Sequence, residues 1–229
     1  HQHQHQHQHQ HHQRVPLPQC EEGPRYSAVL LIQMELCTGD CLRTWLDETG
    51  RSPIPLDFKR GRDGLALELN FARHLLKGIG QIHAAGLVHR DVKPLNLFVT
   101  HDDVLKIGDF GLARHEMERH EEEKGQVGTV MYCAPEGGPC AGAPADVFSA
   151  SLVLLELLCP PFRTGMERAQ VLGALREQRI LPAHIEERLP EHAKLLRRMA
   201  DPRPEARPTA QEAHALIKSL GSNCELGLR

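Results

Sequence analysis

Four polar side chains stand at spacings that would let them act together on a phosphate: Asp91, Lys93, Asn96 and Asp109. Asp91 has a lysine two residues on and an amide five residues on, and Asp109 follows eighteen residues later in the turn Gly108-Asp109-Phe110-Gly111. A carboxylate, an amide and a second carboxylate are hard oxygen ligands. That set suits magnesium, an ion usually held by few protein groups and shared with substrate phosphates. A lysine beside them supplies a point charge for a transferring phosphoryl group. The chemistry these residue types could support is metal-assisted phosphoryl transfer.

Short apolar pieces have to position those residues. Residues 95–99 and 104–107 read as two strands around His101-Asp102-Asp103, a turn that can start a hairpin. Upstream, apolar residues at 65, 69, 72, 75, 76, 79 and 82 predict a helix over 65–85 with one buried stripe, stopped by Gly86. A short helix is expected over 41–47. Downstream, 144–159 reads as an apolar helix beginning near Asp146. Its longest apolar run is too short for a bilayer and contains Glu156. Thr164 and Glu167 have capping-box spacing, opening a helix to about Gln178, and Thr209 and Glu212 repeat the device. Residues 190–200 and 209–220 predict two further amphipathic helices.

The chain has 229 residues, enough for one sizeable domain. Its 40% hydrophobic and 25% charged residues are ordinary for a globular protein. A net charge of −3 argues for neither a nucleic-acid partner nor a membrane surface, and 4% aromatics make base-stacking platforms a poor expectation. Seven cysteines without a C-x-x-C pair favour reduced thiols and a cytoplasmic setting. No signal peptide or membrane segment is expected. Residues 1–13 alternate histidine and glutamine and are expected to be disordered, either as a chelating tract or as a tail with no metal role. Residues 14–25 read as a linker, 26–36 as a buried strand running into a turn at 37–40, and 48–63 as a polar insert loop.

Residues 86–98, with His89-Arg90-Asp91-Val92-Lys93-Pro94-Leu95-Asn96, resemble the protein-kinase catalytic loop. Residues 106–113 and Ala134-Pro135-Glu136 resemble the D-F-G turn and A-P-E segment of the same family. The resemblance covers about 26–220. It implies an α+β, protein-kinase-like fold: a mainly helical large lobe with most of the small lobe missing. The expected division is a His/Gln tract and linker over 1–25, the last small-lobe strand and hinge over 26–38, the large lobe over 39–221, and a tail over 222–229.

By the same resemblance the cofactors are ATP and Mg. Asp91 orients or deprotonates the substrate hydroxyl, Lys93 steadies the γ-phosphate, and Asn96 and Asp109 hold magnesium. Phe98 floors the adenine pocket, Met34 is the gatekeeper, and the backbone of Glu35 and Cys37 meets adenine. Lys93, together with Gly128-Thr129, looks like the serine/threonine branch. His89 and Phe110 resemble large-lobe members of the hydrophobic spine. Asp146 matches the aspartate that anchors the catalytic loop, with Ser151 where the family has glycine. Glu136 and Arg207 match a buried ion pair. Arg90 matches the arginine that pairs with an activation-segment phosphate. Residues 111–128 carry glutamates at 116, 118, 121, 122 and 123 and no hydroxyl, leaving Thr129 as the phosphorylatable candidate.

Residues 31–37 (Leu-Ile-Gln-Met-Glu-Leu-Cys), 106–112, 125–129 and 161–168 (Pro-Phe-Arg-Thr-Gly-Met-Glu-Arg) are similar to the stress-activated kinases of the translation initiation factor 2 alpha subunit. That resemblance implies the alpha subunit as protein partner, Thr164 as a substrate-docking residue, and a kinase dimer through the small lobe. The sequence departs from a complete kinase in one respect. No lysine precedes Lys59 and only Gly23 precedes Gly39, so no glycine-rich lid and no nucleotide lysine are read in the chain. Two readings follow: a truncated serine/threonine kinase domain, inactive alone, or a catalytically inactive large-lobe module that binds substrate or a partner kinase.

Overall fold

The computed structural model describes residues 35–37, 39–48, 67–115, 130–137 and 141–226. The chain divides into two compact units, 1–36 and 37–229, and only Glu35 and Leu36 of the first are described. The strand expected over 26–36 therefore lies almost wholly outside the described residues, as do Met34, Thr129 and the glutamates of 116–123.

The second unit is built around two helices. Helix α2, Leu67–Ala84, buries Leu69, Ala72, Leu75, Leu76 and Ile79 of the expected stripe, and also Phe71 and Asn70. The buried face is wider than the spacing suggested because helices on two sides cover it, α3 (Ala143–Leu158) and α7 (Ala210–Leu226). Gly86 ends α2 as expected. It takes a left-handed φ of 74°, which a side chain resists, and its N–H bonds the His83 carbonyl at 2.9 Å. In α3 every residue from 145 to 158 is buried, the signature of a helix packed on all sides. It starts three residues ahead of Asp146, with Pro144 in its first turn where a missing N–H costs nothing.

Two short antiparallel pairs lie at one face of this core. Strands β2 (Leu97–Val99) and β3 (Leu105–Ile107) form the expected hairpin in the register Leu97↔Ile107, Phe98↔Lys106, Val99↔Leu105. Strand β1 (Leu87–Val88) pairs β4 (Arg114–His115), which the sequence did not announce because two residues are too few for any periodicity. Helix α1, Leu42–Asp47, enters beside β2. The Val99 N–H bonds the Asp40 carbonyl at 2.9 Å, and Cys41 forms a bridge with Phe98. A Cβ on Gly39 would stand 1.7 Å from the Val99 oxygen, so this approach admits only glycine.

The remaining helices are α4 (Gly165–Gly173), α5 (Ala183–Arg188) and α6 (Pro190–Met199). Thr164 caps α4 by accepting the Glu167 N–H, but the Glu167 carboxylate takes the Arg163 N–H instead of returning to Thr164. The expected capping box is thus displaced by one residue at its second arm. From 174 to 178 the helix continues as a wider π turn, ending at Arg179 with a φ of 58°. Helix α5 was not expected. Thr209 and Glu212 make both arms of their box, and α7 runs on to Leu226, past the end expected at 220 and into the segment expected as a tail. Among the described residues no helix is long and apolar enough to cross a membrane, and Cys37, Cys41, Cys133 and Cys159 are free thiols.

Candidate active site

The loop carrying Asp91 is held from beneath by one buried carboxylate. Asp146, 1% exposed in the first turn of α3, accepts the backbone N–H of His89 (2.8 Å) and of Arg90 (2.8 Å). The Nε2 of His83, on the last turn of α2, donates to it as well at 2.9 Å. Those bonds hold Arg90 at a φ of 68°, a left-handed conformation that costs a non-glycine residue about 1 kcal/mol and persists where its surroundings fix it. The anchoring role that resemblance gave Asp146 thus has a geometric basis, and His83 is a partner that sequence reading missed. Ser151 is fully buried and settles its hydroxyl on the Phe148 carbonyl at 2.6 Å.

His89 links this loop to the Gly108–Gly111 turn. Its Nδ1 accepts the Asp91 N–H at 3.3 Å, which leaves the ring proton on Nε2, and Nε2 donates to the Gly108 carbonyl at 3.0 Å. Its ring meets Phe110 edge-on, with centroids 5.2 Å apart. It is a packed histidine, as expected. Phe110 is 41% exposed and lines a cavity of about 550 Å³ between α2, β1 and β3.

The polar cluster itself is tight. Lys93 Nζ lies 2.7 Å from Asp91 Oδ2, and the Asn96 amide donates to Asp91 Oδ2 at 2.8 Å and to its backbone carbonyl at 2.9 Å. One carboxylate oxygen of Asp91, Oδ2, therefore receives both neighbours, and Oδ1 takes neither. Both Asn96 amide hydrogens are engaged, so its Oδ1 is the atom left for a cation. The Gly108 N–H bonds the Asn96 carbonyl at 2.9 Å, and the hairpin register places Asp109 one residue beyond that contact. Asp109 is exposed with a left-handed φ of 55°, and its Oδ1 accepts the Gly111 N–H at 3.2 Å.

An amide oxygen and an exposed carboxylate on adjacent ends of one hairpin fit magnesium, which completes its shell with water and phosphate. No group of three His, Cys, Asp or Glu side chains among the described residues offers an all-protein metal site. Phe98 packs its ring against Gly108, where a Cβ would come within 2.7 Å of Cε2. It stands beside the turn that leads into α1, through the bridge between Cys41 and Phe98.

Away from the cluster, Arg207 makes a two-pronged pair with Glu136 at 2.5 and 2.7 Å. The guanidinium is fully buried, but Glu136 is 25% exposed, so the expected buried pair is buried on one side only. Arg207 also donates to the carbonyls of Asp201 (2.7 Å) and Pro144 (3.0 Å) and lies over the Phe148 ring. Thr164 is exposed at the cap of α4. Glu35 is exposed in the first unit, and Cys37 is half-buried at the start of the second.

The protein kinase domain family matches residues 5–216. The chain is 39% identical over 229 residues to eukaryotic translation initiation factor 2-alpha kinase PK4 of Plasmodium berghei, covering 86% of this chain and 9% of that protein. It is 36% identical over 196 residues to eukaryotic translation initiation factor 2-alpha kinase 3 of Bos taurus, covering 79% and 17%. With eIF-2-alpha kinase GCN2 of Arabidopsis thaliana it shares 37% over 165 residues, covering 62% and 13%. The chain thus spans less than a fifth of the length of these curated relatives. With the match running through the Asp91 cluster, the Asp109 turn and the Glu136–Arg207 pair, the chain belongs to the protein kinase domain family and is similar within it to the initiation factor 2-alpha kinases.

Proposed function

We propose that this chain carries the catalytic floor of a serine/threonine protein kinase that transfers the γ-phosphate of ATP to the alpha subunit of translation initiation factor 2. The observation that carries the reading is the Asp91 cluster: a carboxylate tied to Lys93 and Asn96, with one oxygen left toward substrate. Asp91 Oδ1 accepts the hydrogen of the incoming serine or threonine hydroxyl and aims that oxygen. Lys93, held 2.7 Å from Asp91, brings its charge to the side where phosphoryl negative charge builds up. Asn96 and Asp109 would hold the magnesium, which when bound with ATP neutralises phosphate charge. Asp146, through the His89 and Arg90 amides, keeps this arrangement set before substrate arrives. The substrate assignment is supported by the names of the relatives and by an exposed Thr164 on α4. The described free thiols support a cytoplasmic setting. A dimer through the small lobe belongs to the same reading.

The second reading is an inactive module that binds substrate or a partner kinase. Both are tested by incubating the chain, alone and fused behind the small lobe of a relative, with Mg-ATP and purified alpha subunit. Phosphoserine is read by mass spectrometry. Background labelling from the chain alone, turnover by the fusion, and its loss in Asp109→Asn are expected. A folded fusion that binds the alpha subunit and never labels it establishes the inactive module.

A further inference from the structure

Helices α2 and α7 carry a group of cations that phosphoryl transfer does not use. The two helices meet where Gly80 has no side chain: a Cβ there would stand 3.3 Å from Cγ of Gln211. From that crossing Lys77 and Arg73 follow back along α2, and His214 and Lys218 follow forward along α7, each about one helical turn from the last. Burial, and then the charges of Arg73, Lys218 and Lys77, hold the His214 imidazole below its ordinary 6.5, which sets the two rows side by side. Lys77 and Lys218 are exposed, while Arg73 and His214 are half-buried. Arg73 also donates to the Asn70 side-chain carbonyl at 3.1 Å.

Lys77 belongs to a second feature as well. Together with Lys106 of β3 it lines the cavity of about 550 Å³ between α2, β1 and β3. His74 lines it too; its Nδ1 accepts the Leu105 N–H at 3.3 Å, which leaves a proton on Nε2. The apolar wall includes Ile82, Val104 and Ile107, and among the described residues lining the cavity there is no carboxylate. An aliphatic wall edged by donors and positive charge suits an apolar group that arrives beside an anion. Spacing narrows the choice. Arg73 and Lys77 lie about 6 Å apart along the α2 axis, and same-face side chains of an extended peptide repeat at about 6.6 Å. Acidic residues at alternate positions of such a chain match Arg73 and Lys77, and the next side chain on that face arrives at Ile82 and the cavity.

We propose that the α2–α7 basic strip and this cavity form one docking surface for an extended acidic segment of a partner protein, with alternate carboxylates on Arg73 and Lys77 and an aliphatic side chain in the cavity. Nucleic acid matches the charge of the strip but brings no aliphatic group to Ile82 and Ile107. The surface does not depend on the kinase reading.

A fluorescein-labelled peptide of the pattern Glu-Ser-Glu-Ser-Leu, titrated with the full chain and followed by anisotropy, tests the surface. Binding should weaken as salt rises and fall about tenfold or more in Lys77→Glu, where a charge-assisted contact becomes a repulsion. Lys218→Glu, at the end of the strip, should cost less. Both side chains are exposed, so the melting temperature should stay near that of wild type. Replacing the peptide's leucine by serine should also cost about tenfold, with the salt dependence unchanged. If Lys77→Glu does not fold, Lys77→Gln decides, with a smaller loss expected. No binding to folded wild type overturns the proposal, and so does equal binding of the leucine and serine peptides. A single-stranded RNA that binds as tightly as the peptide, and is weakened as much by Lys77→Glu, overturns it in favour of a nucleic-acid surface. Self-association of the chain that Lys77→Glu abolishes, without peptide binding, overturns it in favour of a second copy.

Discussion

Arg207 shows how a single residue can fix a segment. Its buried guanidinium meets Glu136 twice and the carbonyls of Asp201 and Pro144, so no charge is left without a partner. Replacing Glu136 by glutamine leaves that guanidinium half answered, at a cost of about 2–3 kcal/mol, since Glu136 is partly exposed and water softens the loss. Chemical denaturation checks it. Burial pushes the Glu136 carboxyl up, but the Arg207 hydrogen bond, a backbone N–H and the Arg207 charge outweigh burial and hold it below the ordinary 4.5. A carboxyl lowered by folding contributes stability above about pH 4.5, lost as pH falls through its folded value. A stability–pH curve should therefore lose part of its acid limb in Glu136→Gln. A second residue-scale expectation concerns Gly108: alanine there drives a Cβ to 2.7 Å from the Phe98 ring. Gly108→Ala should weaken nucleotide binding in a small-lobe fusion more than it lowers the melting temperature, as calorimetry and thermal unfolding would compare.

Helix α6 places its histidine where water does not reach. His192 is 8% exposed, and its Nε2 has no hydrogen-bond partner among the described residues. Burial lowers its pKa below 6.5, opposed by the neighbouring Glu191. The unfolded chain then takes up a proton before the folded one. Stability is complete above about pH 6.5 and declines as pH drops through the folded value. Urea midpoints between roughly pH 5 and 7 should fall in wild type and flatten in His192→Gln. An unchanged slope would assign the decline elsewhere, with His184 and His214, also lowered by burial, the next to test.

On the scale of the whole molecule, Phe98 lies on the β2–β3 hairpin, Asn96 and Asp109 flank its two ends, and Asp91 stands beside Asn96; the proposed kinase reading assigns these residues to the floor of a nucleotide site. Positioning and charge from above a nucleotide each account for several kcal/mol of barrier lowering, and no glycine-rich lid or strand lysine is read in this sequence. The chain alone should bind Mg-ATP in the high micromolar range or worse. Asp109→Asn should remove the magnesium dependence of whatever binding calorimetry detects. Tight binding by the chain alone would show that the floor suffices.

The Asp91 cluster was legible as a constellation because it is local: Asp91, Lys93 and Asn96 lie within six residues, and the β2–β3 hairpin returns the chain toward Asn96 just before Asp109. Helices α2, α3 and α7 were legible from apolar spacing and caps, since those depend on neighbours three or four residues apart. Resemblance, not periodicity, named Asp146 and the Glu136–Arg207 pair, and the structure supplied their contacts. A buried cluster in which Arg43 donates to both Tyr132 and Glu156 was legible in no way. Its members stand 89 and 113 residues apart, and each alone reads as ordinary: a surface arginine, a tyrosine near a turn, a glutamate interrupting an apolar helix. Sequence determined which side chains could do chemistry and which helices could form. Only tertiary packing decided which charges are buried together, because a buried carboxylate is tolerable only where distant parts of the chain deliver its partners.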